Sequence, residues 1–380
     1  MRLKSRLIAV AVVFGLITSL AATGALAAKT PATRSKASGI ALARQALRAA
    51  TAVPKFVAPG PPFNARAAMK GKTIFNVSIG TQDEFIQVIE GVEQQIAKKV
   101  GFNFVSWANT GTPEQWSRGV QTAINEHASL IDLLGLNPEQ IAPAVAAAVK
   151  AGIPVVSTDA YDLSQKPPAS LHLSAYVGIP YAKAGRLMAD WTTVATGGKA
   201  NALVIGSPEV VASAAQVGAI RSEFARVCPG CKVDYTGITI ANWASQIEPT
   251  VEGAIRSNPS LNYVLPIYDS ASQFVIPAIT TEGATGRVHI ATYDGTPFVL
   301  KDLESKTVVT MDVGQDLAWL AYAFIDQDMR VLAKQPPVTN ENLPLRVFTS
   351  ANVKDTGVPP RNSTGYGKAY IPGYYKLWKV

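Results

Sequence analysis

Acidic, amide and aromatic residues recur directly after the hydrophobic segments that are predicted to form β-strands. Carboxyl groups accept hydrogen bonds from hydroxyl groups, amides donate and accept them, and aromatic faces cover the apolar C–H side of a ring. Residues of these types at neighbouring strand ends therefore suit a polyhydroxylated ligand. The candidate binding residues are Gln82, Asp83, Asn137, Asp159, Trp243, Tyr268, Asp269, Asp294 and Asp312.

The candidates do not resemble a catalytic centre, because they contain no base–nucleophile pair. The sequence has no P-loop, no GxSxG and no HExxH motif, and it lacks the longer glycine patterns of dinucleotide sites. Its three histidines are dispersed, which argues against a metal hydrolase. We therefore expect a binding protein rather than an enzyme, with no cofactor and no metal ion.

Several candidates also have a purely structural interpretation. Asp294 could cap a turn or a helix, Asp83 could cap the helix that begins near it, and Trp243 could belong to the core. A ligand role is favoured for Asp159 and Asp294, because matching positions in the two halves of the chain carry them. Both interpretations stay open for Asp83 and Asp312.

The predicted elements fall into two similar halves. In the first half, strands are predicted at residues 74–79, 102–107, 130–134 and 153–157, with helices at 85–100, 113–127 and 138–151. In the second half, strands are predicted at 202–205, 232–240, 263–266 and 288–292, with helices at 214–227, 245–257 and 274–281. Such alternation is typical of an α/β fold whose parallel sheet is covered on both faces.

The repetition predicts two doubly wound lobes with a ligand cleft between them. Residues 153–159 (IPVVSTD) match residues 288–294 (VHIATYD), and chance rarely matches so many elements in order. Ligands of doubly wound sheets lie beyond the carboxyl ends of the strands, which is where the candidate residues stand. Asp312 is expected where the chain crosses back between the lobes.

The N-terminus has the features of a cleavable export signal. Arg2, Lys4 and Arg6 precede an apolar run at 7–20 and small residues at 25–27, which predicts a signal peptide over 1–27. The apolar run is short of the roughly 20 residues that span a bilayer. We therefore expect the periplasm or another extracytoplasmic space. Residues 28–71 form a Pro-rich leader, predicted to lie outside the core as a spacer or strap.

Composition limits the remaining possibilities. Hydrophobic residues make up 48% of the 380 residues and charged residues 16%, so the chain can fold, and roughly 350 residues after cleavage favour two domains. The basic residues behind the net charge of +8 are scattered, which argues against nucleic-acid binding. We also expect a monomer. Cys228 and Cys231 form a single CxxC, for which a small disulfide is favoured over a redox or metal site in an oxidising compartment.

From Lys72 to about Lys334 the chain resembles the periplasmic sugar-binding proteins of the ribose-binding type, which share their fold with the ligand domain of LacI-type repressors. The resemblance rests on VSI (77–79) through Phe85, AGIPVVSTD (151–159), YAKAGRL (181–187), YDGTP (293–297) and GYYKLW (373–378). It implies a type I periplasmic-binding-protein fold, in which a three-strand hinge joins the lobes. The implied lobes are 72–177 plus 313–335, and 178–312 plus 336–380 with the tail.

The resemblance also implies which residues bind the ligand. The binding positions carry over to Gln82, Phe85, Asp159, Trp243, Tyr268, Asp294 and Asp312. Ribose-type sites have two arginines, but this chain has Ala160 at one position and Gln216 or Gly218 at the other. The pocket is therefore expected to be rich in acids and poor in cationic donors.

Together these features predict a solute-binding protein that captures a small sugar or polyol between two closing lobes and delivers it to a membrane ABC permease. Two alternatives stay open. The ligand could carry an amine, because cationic donors would relieve repulsion between the acids. The same lobes could instead present their ligand to a membrane sensor.

Overall fold

The computed structural model describes residues 36–338 and 340–380, so the predicted signal peptide and the first part of the leader lie outside the described residues. The strands are β1 (Thr73–Ser78), β2 (Asn103–Ser106), β3 (Leu130–Leu134), β4 (Val155–Asp162), β5 (Ala175–Ile179), β6 (Asn201–Gly206), β7 (Lys232–Gly237), β8 (Tyr263–Pro266), β9 (His289–Asp294), β10 (Val309–Gln315) and β11 (Leu345–Thr349). The helices are α1 (Lys36–Thr51), α2 (Ala65–Met69), α3 (Glu84–Val100), α4 (Pro113–Asn125), α5 (Ala142–Lys150), α6 (Tyr181–Ala195), α7 (Val211–Val227), α8 (Trp243–Ser257), α9 (Asp269–Thr281), α10 (Pro297–Glu304), α11 (Leu317–Leu332) and α12 (Tyr370–Trp378).

The strands form two sheets, as the alternating pattern predicts. The first sheet has the order β2-β1-β3-β4-β5, and all of its strand pairs are parallel. The second has the order β11-β10-β9-β8-β6-β7, in which only β10 and β11 are antiparallel. The central strand β3 is buried along its whole length because helices cover both faces, which explains why four of its five residues are apolar, with Asp132 the exception.

Helices pack on both faces of each sheet and define two lobes. In the first lobe (β1–β5), α4 packs with α5, and α3 packs with α11. In the second lobe (β6–β11), α6 packs with α7, and α8 packs with α9. The predicted two-lobed α/β architecture is therefore confirmed. Within the described residues, none of these helices is long and apolar enough to span a bilayer.

The chain passes between the two sheets three times between β5 and β11. It first leaves β5 for α6, which packs on β9 and β10 of the second sheet. It returns from β10 to α11, which packs on β5, and then enters the second sheet again at β11. The crossing after β10 falls at Asp316, the residue that caps α11. The prediction that Asp312 lies at this crossing is wrong, because Asp312 is inside β10.

Among the element boundaries that differ from the sequence-based prediction are those of α5 and β4. The helix predicted at 138–151 begins as a 3-10 turn, Pro138–Ile141, before α5 starts at Ala142. β4 continues to Asp162 through a register shift between Thr158 and Tyr161, which inserts extra residues next to the cleft.

The leader contributes to the core, contrary to the prediction that it lies outside it. α1 buries Gly39, Ala43, Leu47 and Ala50, which form one stripe of the helix, and it packs on α6, α7 and β11 of the second lobe. A side chain at Gly39 would meet the carbonyl oxygen of Val227, so this contact depends on the glycine. The stripe uses mostly small residues, which explains why composition did not reveal it.

The remainder of the leader reaches the first lobe. α2 packs on α3 and α11, and the Phe63 N–H donates to the Leu377 carbonyl at 2.9 Å. The guanidinium of the fully buried Arg330 bonds Asp326 at 2.6 Å and the Pro61 carbonyl at 3.3 Å. It also lies 5.1 Å from the centre of the Phe63 ring. The leader is therefore attached to both lobes.

The C-terminal tail follows a similar course. After β11 in the second lobe, α12 packs on α11, and the Trp378 ring stacks on Tyr322 at 5.5 Å between centroids. The Trp378 indole N–H donates to Asp326 at 2.6 Å. The tail thus ends on the helix that also holds the leader.

Cys228 and Cys231 are joined as a disulfide at the turn between α7 and β7, with their Cα atoms 5.4 Å apart. The Ala200 N–H, one residue before β6, lies 3.2 Å from the Cys231 sulfur. The CxxC therefore lies at an edge of the second lobe, at a turn rather than at a strand end that faces the cleft.

Phe56→Ala should lower the free energy of unfolding by about 2 kcal/mol, because the partly buried ring contacts Trp319 and Tyr374. Urea unfolding followed by circular dichroism measures this change. Val57→Ala is the matched control, since Val57 is 59% exposed, and it should change stability by less than about 0.5 kcal/mol. Equal unfolding midpoints for the two variants would contradict the packing of the leader described here.

Candidate functional site

An inner cavity of about 80 Å³ lies between the carboxyl ends of the two sheets. Its walls come from both lobes, as expected for ligands of doubly wound sheets. The first lobe supplies Ile79, Asp83, Phe85, Ile86, Gly135 and Asp159, and the second supplies Tyr181, Val210, Ile240, Trp243, Tyr268, Ser270 and Asp294. Six of these thirteen residues, Asp83, Phe85, Asp159, Trp243, Tyr268 and Asp294, are sequence-predicted binding residues.

Asp159 supplies the carboxyl group of the first lobe. It lies in the irregular part of β4 with φ +60°, a conformation that few residues other than glycine, asparagine and aspartate adopt. The Tyr181 hydroxyl lies 3.0 Å from its Oδ1 and 2.9 Å from its carbonyl oxygen. Burial raises the pKa of Asp159 to about 7, although the Tyr181 hydrogen bond opposes this rise.

Asp294 supplies the corresponding carboxyl group of the second lobe. It ends β9 with φ +145°, and the following Gly295 cannot carry a side chain because a Cβ would lie 2.6 Å from the Tyr366 hydroxyl. Its Oδ2 accepts from the Asp269 N–H and its Oδ1 from the Gln315 amide, both at 3.2 Å. Burial, followed by the charge of Asp269, raises the pKa of Asp294 well above its usual range.

Aromatic rings form the apolar walls of the inner cavity. The Trp243 indole N–H donates to Ser207 Oγ and to the Ile238 carbonyl, each at 3.1 Å. Since this N–H is already paired, Trp243 can offer a ligand only its ring surface. The ring centroids of Trp243 and Tyr268 are 6.4 Å apart, and the angle between the ring planes is 37°. Phe85 contributes a ring from the first lobe.

Asp83 is both a helix cap and part of the cavity wall. Its Oδ1 accepts from the Phe85 N–H at 2.9 Å, so it caps α3, and it also lines the inner cavity. The neighbouring Gln82 is exposed and lines only a crevice outside the cavity. The first turn of α3 therefore stands at the entrance to the cleft.

The structure places the remaining three predicted residues outside the lining of the inner cavity. Asn137 accepts from the Glu139 N–H at 3.0 Å and caps a 3-10 turn. Asp269 accepts from the Thr296 N–H at 2.8 Å and hydroxyl at 2.7 Å, which fixes the loop after β9. Asp312 is fully buried inside β10, and neither carboxyl oxygen has a well-aligned hydrogen-bond partner.

Besides Ser270 in the lining, sequence reasoning missed two polar residues that hydrogen-bond the two acids. Tyr181 begins α6 where the chain first crosses between lobes, and its hydroxyl bonds Asp159 of the opposite lobe. The β10 side chain that donates a hydrogen bond to the Asp294 carboxyl group is that of Gln315. The position of Tyr181 directly after a predicted crossing was a usable signal. Gln315 could be found only once the end of β10 was known.

The charged side chains that line the inner cavity are those of acidic residues. Among the described residues, no Lys, Arg or His lines it. Gln216 is buried, and its amide donates to the Ile267 carbonyl at 3.1 Å. Over the same described residues, no group of three or more His, Cys, Asp or Glu side chains could hold a metal ion. The walls can therefore accept hydrogen bonds from a ligand and cover its apolar faces.

A family profile described as "Periplasmic binding protein domain" matches residues 74–336, which is more than half of the chain. The chain belongs to this family. The match begins at β1 and ends just after α11, so it covers the first sheet and most of the second. A comparison with curated protein sequences gave no significant match.

Solved structures share the periplasmic binding protein fold at low sequence identity. An ABC transporter solute-binding protein from Agrobacterium vitis, bound with α-D-tagatopyranose, is 19% identical with a TM-score of 0.68, over 76% of this chain and 97% of its own. A periplasmic solute-binding protein from Actinobacillus succinogenes with bound D-allose is 21% identical with a TM-score of 0.66, over 74% and 99%. A second Agrobacterium vitis protein, with bound allitol, is 20% identical with a TM-score of 0.67, over 76% and 98%. These similarities confirm the predicted fold.

Asp312→Asn should stabilise the protein by about 1–3 kcal/mol at pH 8, because it removes an ionisable group whose buried oxygens lack aligned partners. Burial, followed by the charge of Asp269, raises the pKa of Asp312. A raised carboxyl pKa lowers stability as the pH rises above the unfolded value, so the advantage should shrink near pH 4. Urea unfolding at both pH values measures it.

The exposed Asp234 gives the matched control, since Asp234→Asn should leave stability almost unchanged at either pH. An Asp312→Asn variant that is less stable than the parent at pH 8 would contradict this account. It would show that the Asp312 carboxylate is stabilised by an interaction that is not among those described here.

Proposed function

We propose that this chain is an extracytoplasmic solute-binding protein that captures a sugar or polyol between its lobes and delivers it to a membrane ABC permease. The observation that carries the proposal is that Asp159 and Asp294, from opposite lobes, line one inner cavity together with Trp243 and Tyr268. Family membership and the fold are those of binding proteins, and the proposed role includes no chemical step.

The cavity walls suit a polyhydroxylated ligand. Each carboxylate accepts hydrogen bonds from hydroxyl groups, and hydrogen bonds to charged groups contribute about 1.5–3 kcal/mol each. Aromatic faces cover the C–H face of a sugar ring. Hydroxyl donors from a ligand would also favour the ionised forms of Asp159 and Asp294, whose pKa values are raised by burial.

The structural neighbours support the same ligand class. Their bound ligands are α-D-tagatopyranose, D-allose and allitol, all of which are sugars or polyols. A transporter protein from Acidothermus cellulolyticus of similar fold is described in complex with myo-inositol, with a TM-score of 0.62. We extend this ligand class to the present chain because its inner cavity offers hydrogen-bond acceptors and aromatic rings between the two lobes.

An amine-bearing ligand is a second candidate, favoured by one specific observation. The inner cavity is lined by Asp83, Asp159 and Asp294 with no Lys, Arg or His among the described residues. An ammonium group would pair with these carboxylates and lower their pKa values. Neutral hydroxyl donors satisfy the same oxygens, and the ligands bound to the structural neighbours are neutral, so the sugar or polyol remains the primary proposal.

We further propose that residues 1–27 direct export and are removed, and that the mature protein acts as a monomer in the periplasm. The family description supports this location. The lobe boundaries 72–177 plus 313–335, and 178–312 plus 336–380, are also a proposal. The three passages of the chain between the sheets support these boundaries. They do not include α1, which packs on the second lobe, and they assign α12 to the second lobe although it packs on α11.

The proposed capture can be tested on the mature protein with a thermal-shift panel of hexoses, polyols, amino sugars and polyamines, followed by calorimetry. A ligand at a hundred times its Kd adds about 2.7 kcal/mol of stability, which is readily detected. Asp294→Ala should weaken the best hit by about 1.5–3 kcal/mol, whereas Asp234→Ala, at an exposed position, should not. Selective binding of cations would favour the second candidate, and unchanged affinity in Asp294→Ala would contradict the proposed role of this residue.

Ligand binding should also close the two lobes. A ligand that contacts both Asp159 and Asp294 favours the closed form only as far as it binds that form more tightly than the open one. Small-angle X-ray scattering should therefore show a smaller radius of gyration at saturating ligand. Identical profiles with and without a tightly bound ligand would contradict closure.

A further inference from the structure

The inner cavity continues into a second space at the entrance to the cleft. This outer crevice of about 560 Å³ is lined by Gln82, Asp83, Glu84, Ile240, Trp243, Ala244, Ser270, Gln273, Phe274 and Phe298. Four of these residues, Asp83, Ile240, Trp243 and Ser270, also line the inner cavity. The two spaces therefore share walls from both lobes and form one continuous cleft.

The volumes of the two spaces suggest how a ligand is distributed between them. Small-molecule sites usually enclose about 300–1,000 Å³. The inner cavity of about 80 Å³ is well below this range, whereas the outer crevice of about 560 Å³ is within it. A ligand that reaches Asp159 and Asp294 therefore has most of its available space on the outer side of Trp243.

The outer crevice has apolar walls that remain uncovered. Phe274 on α9 and Phe298 on α10 pack against the core of the second lobe, but both are only partly buried. Neither takes part in an aromatic ring pair within the described part of the chain. Ile240, on the wall shared with the inner cavity, is 38% exposed. A flat ligand group could cover these surfaces and remove them from water.

Polar groups stand beside these apolar walls. The exposed Gln82 projects from the first lobe, and Gln273 and Ser270 lie on α9 of the second. The Gln273 amide already donates to the Ser270 carbonyl at 2.7 Å, which leaves its oxygen free to accept. Amide and hydroxyl groups around aromatic faces suit a ring with a hydroxyl rim and an apolar C–H face.

We propose that the outer crevice is a second subsite that holds a further sugar ring, linked to the ring or polyol seated between Asp159 and Asp294. The natural ligand is then a disaccharide or a glycosylated polyol rather than a free monosaccharide. This inference rests on the proposed function, because the inner cavity must first hold a sugar or polyol. Trp243 lies between the two rings and contacts both.

Calorimetry on the mature protein tests the subsite with pairs of probes. One-ring probes are D-glucose, D-galactose, D-allose and myo-inositol, and two-ring probes are maltose, cellobiose, lactose, melibiose and galactinol. At least one two-ring probe should bind about tenfold or more tighter than its one-ring parent, since an added stacked ring contributes about one factor of ten. Phe274→Ala should remove most of this advantage and leave the affinity for the one-ring parent unchanged.

Two further variants distinguish a loss of binding at the second subsite from a loss of folding. Ile276→Ala is the matched control, because Ile276 lies on the same helix and packs on the same core but does not line the crevice, so it should keep the two-ring advantage. Gln273→Ala, at an exposed position, should reduce the advantage without endangering the fold. Circular dichroism confirms that each variant is folded.

The outcomes distinguish this inference from the proposed function. If one-ring probes bind and no two-ring probe binds more tightly, the second subsite is wrong and the proposed function stands. A two-ring advantage that survives both Phe274→Ala and Gln273→Ala also overturns the subsite. If no probe of either kind binds, the sugar or polyol function itself fails, and the second subsite fails with it.

Discussion

Asp159 and Asp294 each carry a carboxyl group that burial pushes toward its neutral form, and among the described residues no cation lines the inner cavity that they share. A desolvated carboxyl group is stable only if hydrogen bonds or an opposite charge compensate it. Here the compensation is partial, since Tyr181 serves Asp159, and the Asp269 N–H with the Gln315 amide serves Asp294. A ligand rich in hydroxyl groups would supply the remaining donors.

The rest of the fold holds these two groups opposite one another. Tyr181 stands where the chain enters the second lobe and bonds Asp159 of the first, so one crossing directly joins the two halves of the site. The leader and the tail add two further connections away from the cleft. Pro61 of the leader bonds Arg330 on α11, and Trp378 of the tail bonds Asp326 on the same helix. The described part of the leader and the C-terminal tail thus each contact both lobes.

The sequence was sufficient for the fold and for much of the inner cavity. Alternating strands and helices, and the match of 153–159 with 288–294, predict two doubly wound lobes and place Asp159 and Asp294 at equivalent strand ends. Pattern alone could not distinguish residues that line the cavity from residues that support it, because the predicted binding residues Asp269, shortly after β8, and Asp312, within β10, are buried in the protein. The packing of α1 was hidden because small residues such as Ala43 carry a weak hydrophobic signal.

The central claim is that one ligand is held at the same time by a carboxyl group from each lobe. The most direct measurement is a crystal structure of the mature protein with the sugar or polyol that binds most tightly. The account predicts ligand hydroxyl oxygens at hydrogen-bond distance, about 2.5–3.0 Å, from both Asp159 and Asp294, with a ring face on Trp243 or Tyr268. A ligand that contacts only one lobe, or that lies outside the inner cavity, would contradict it.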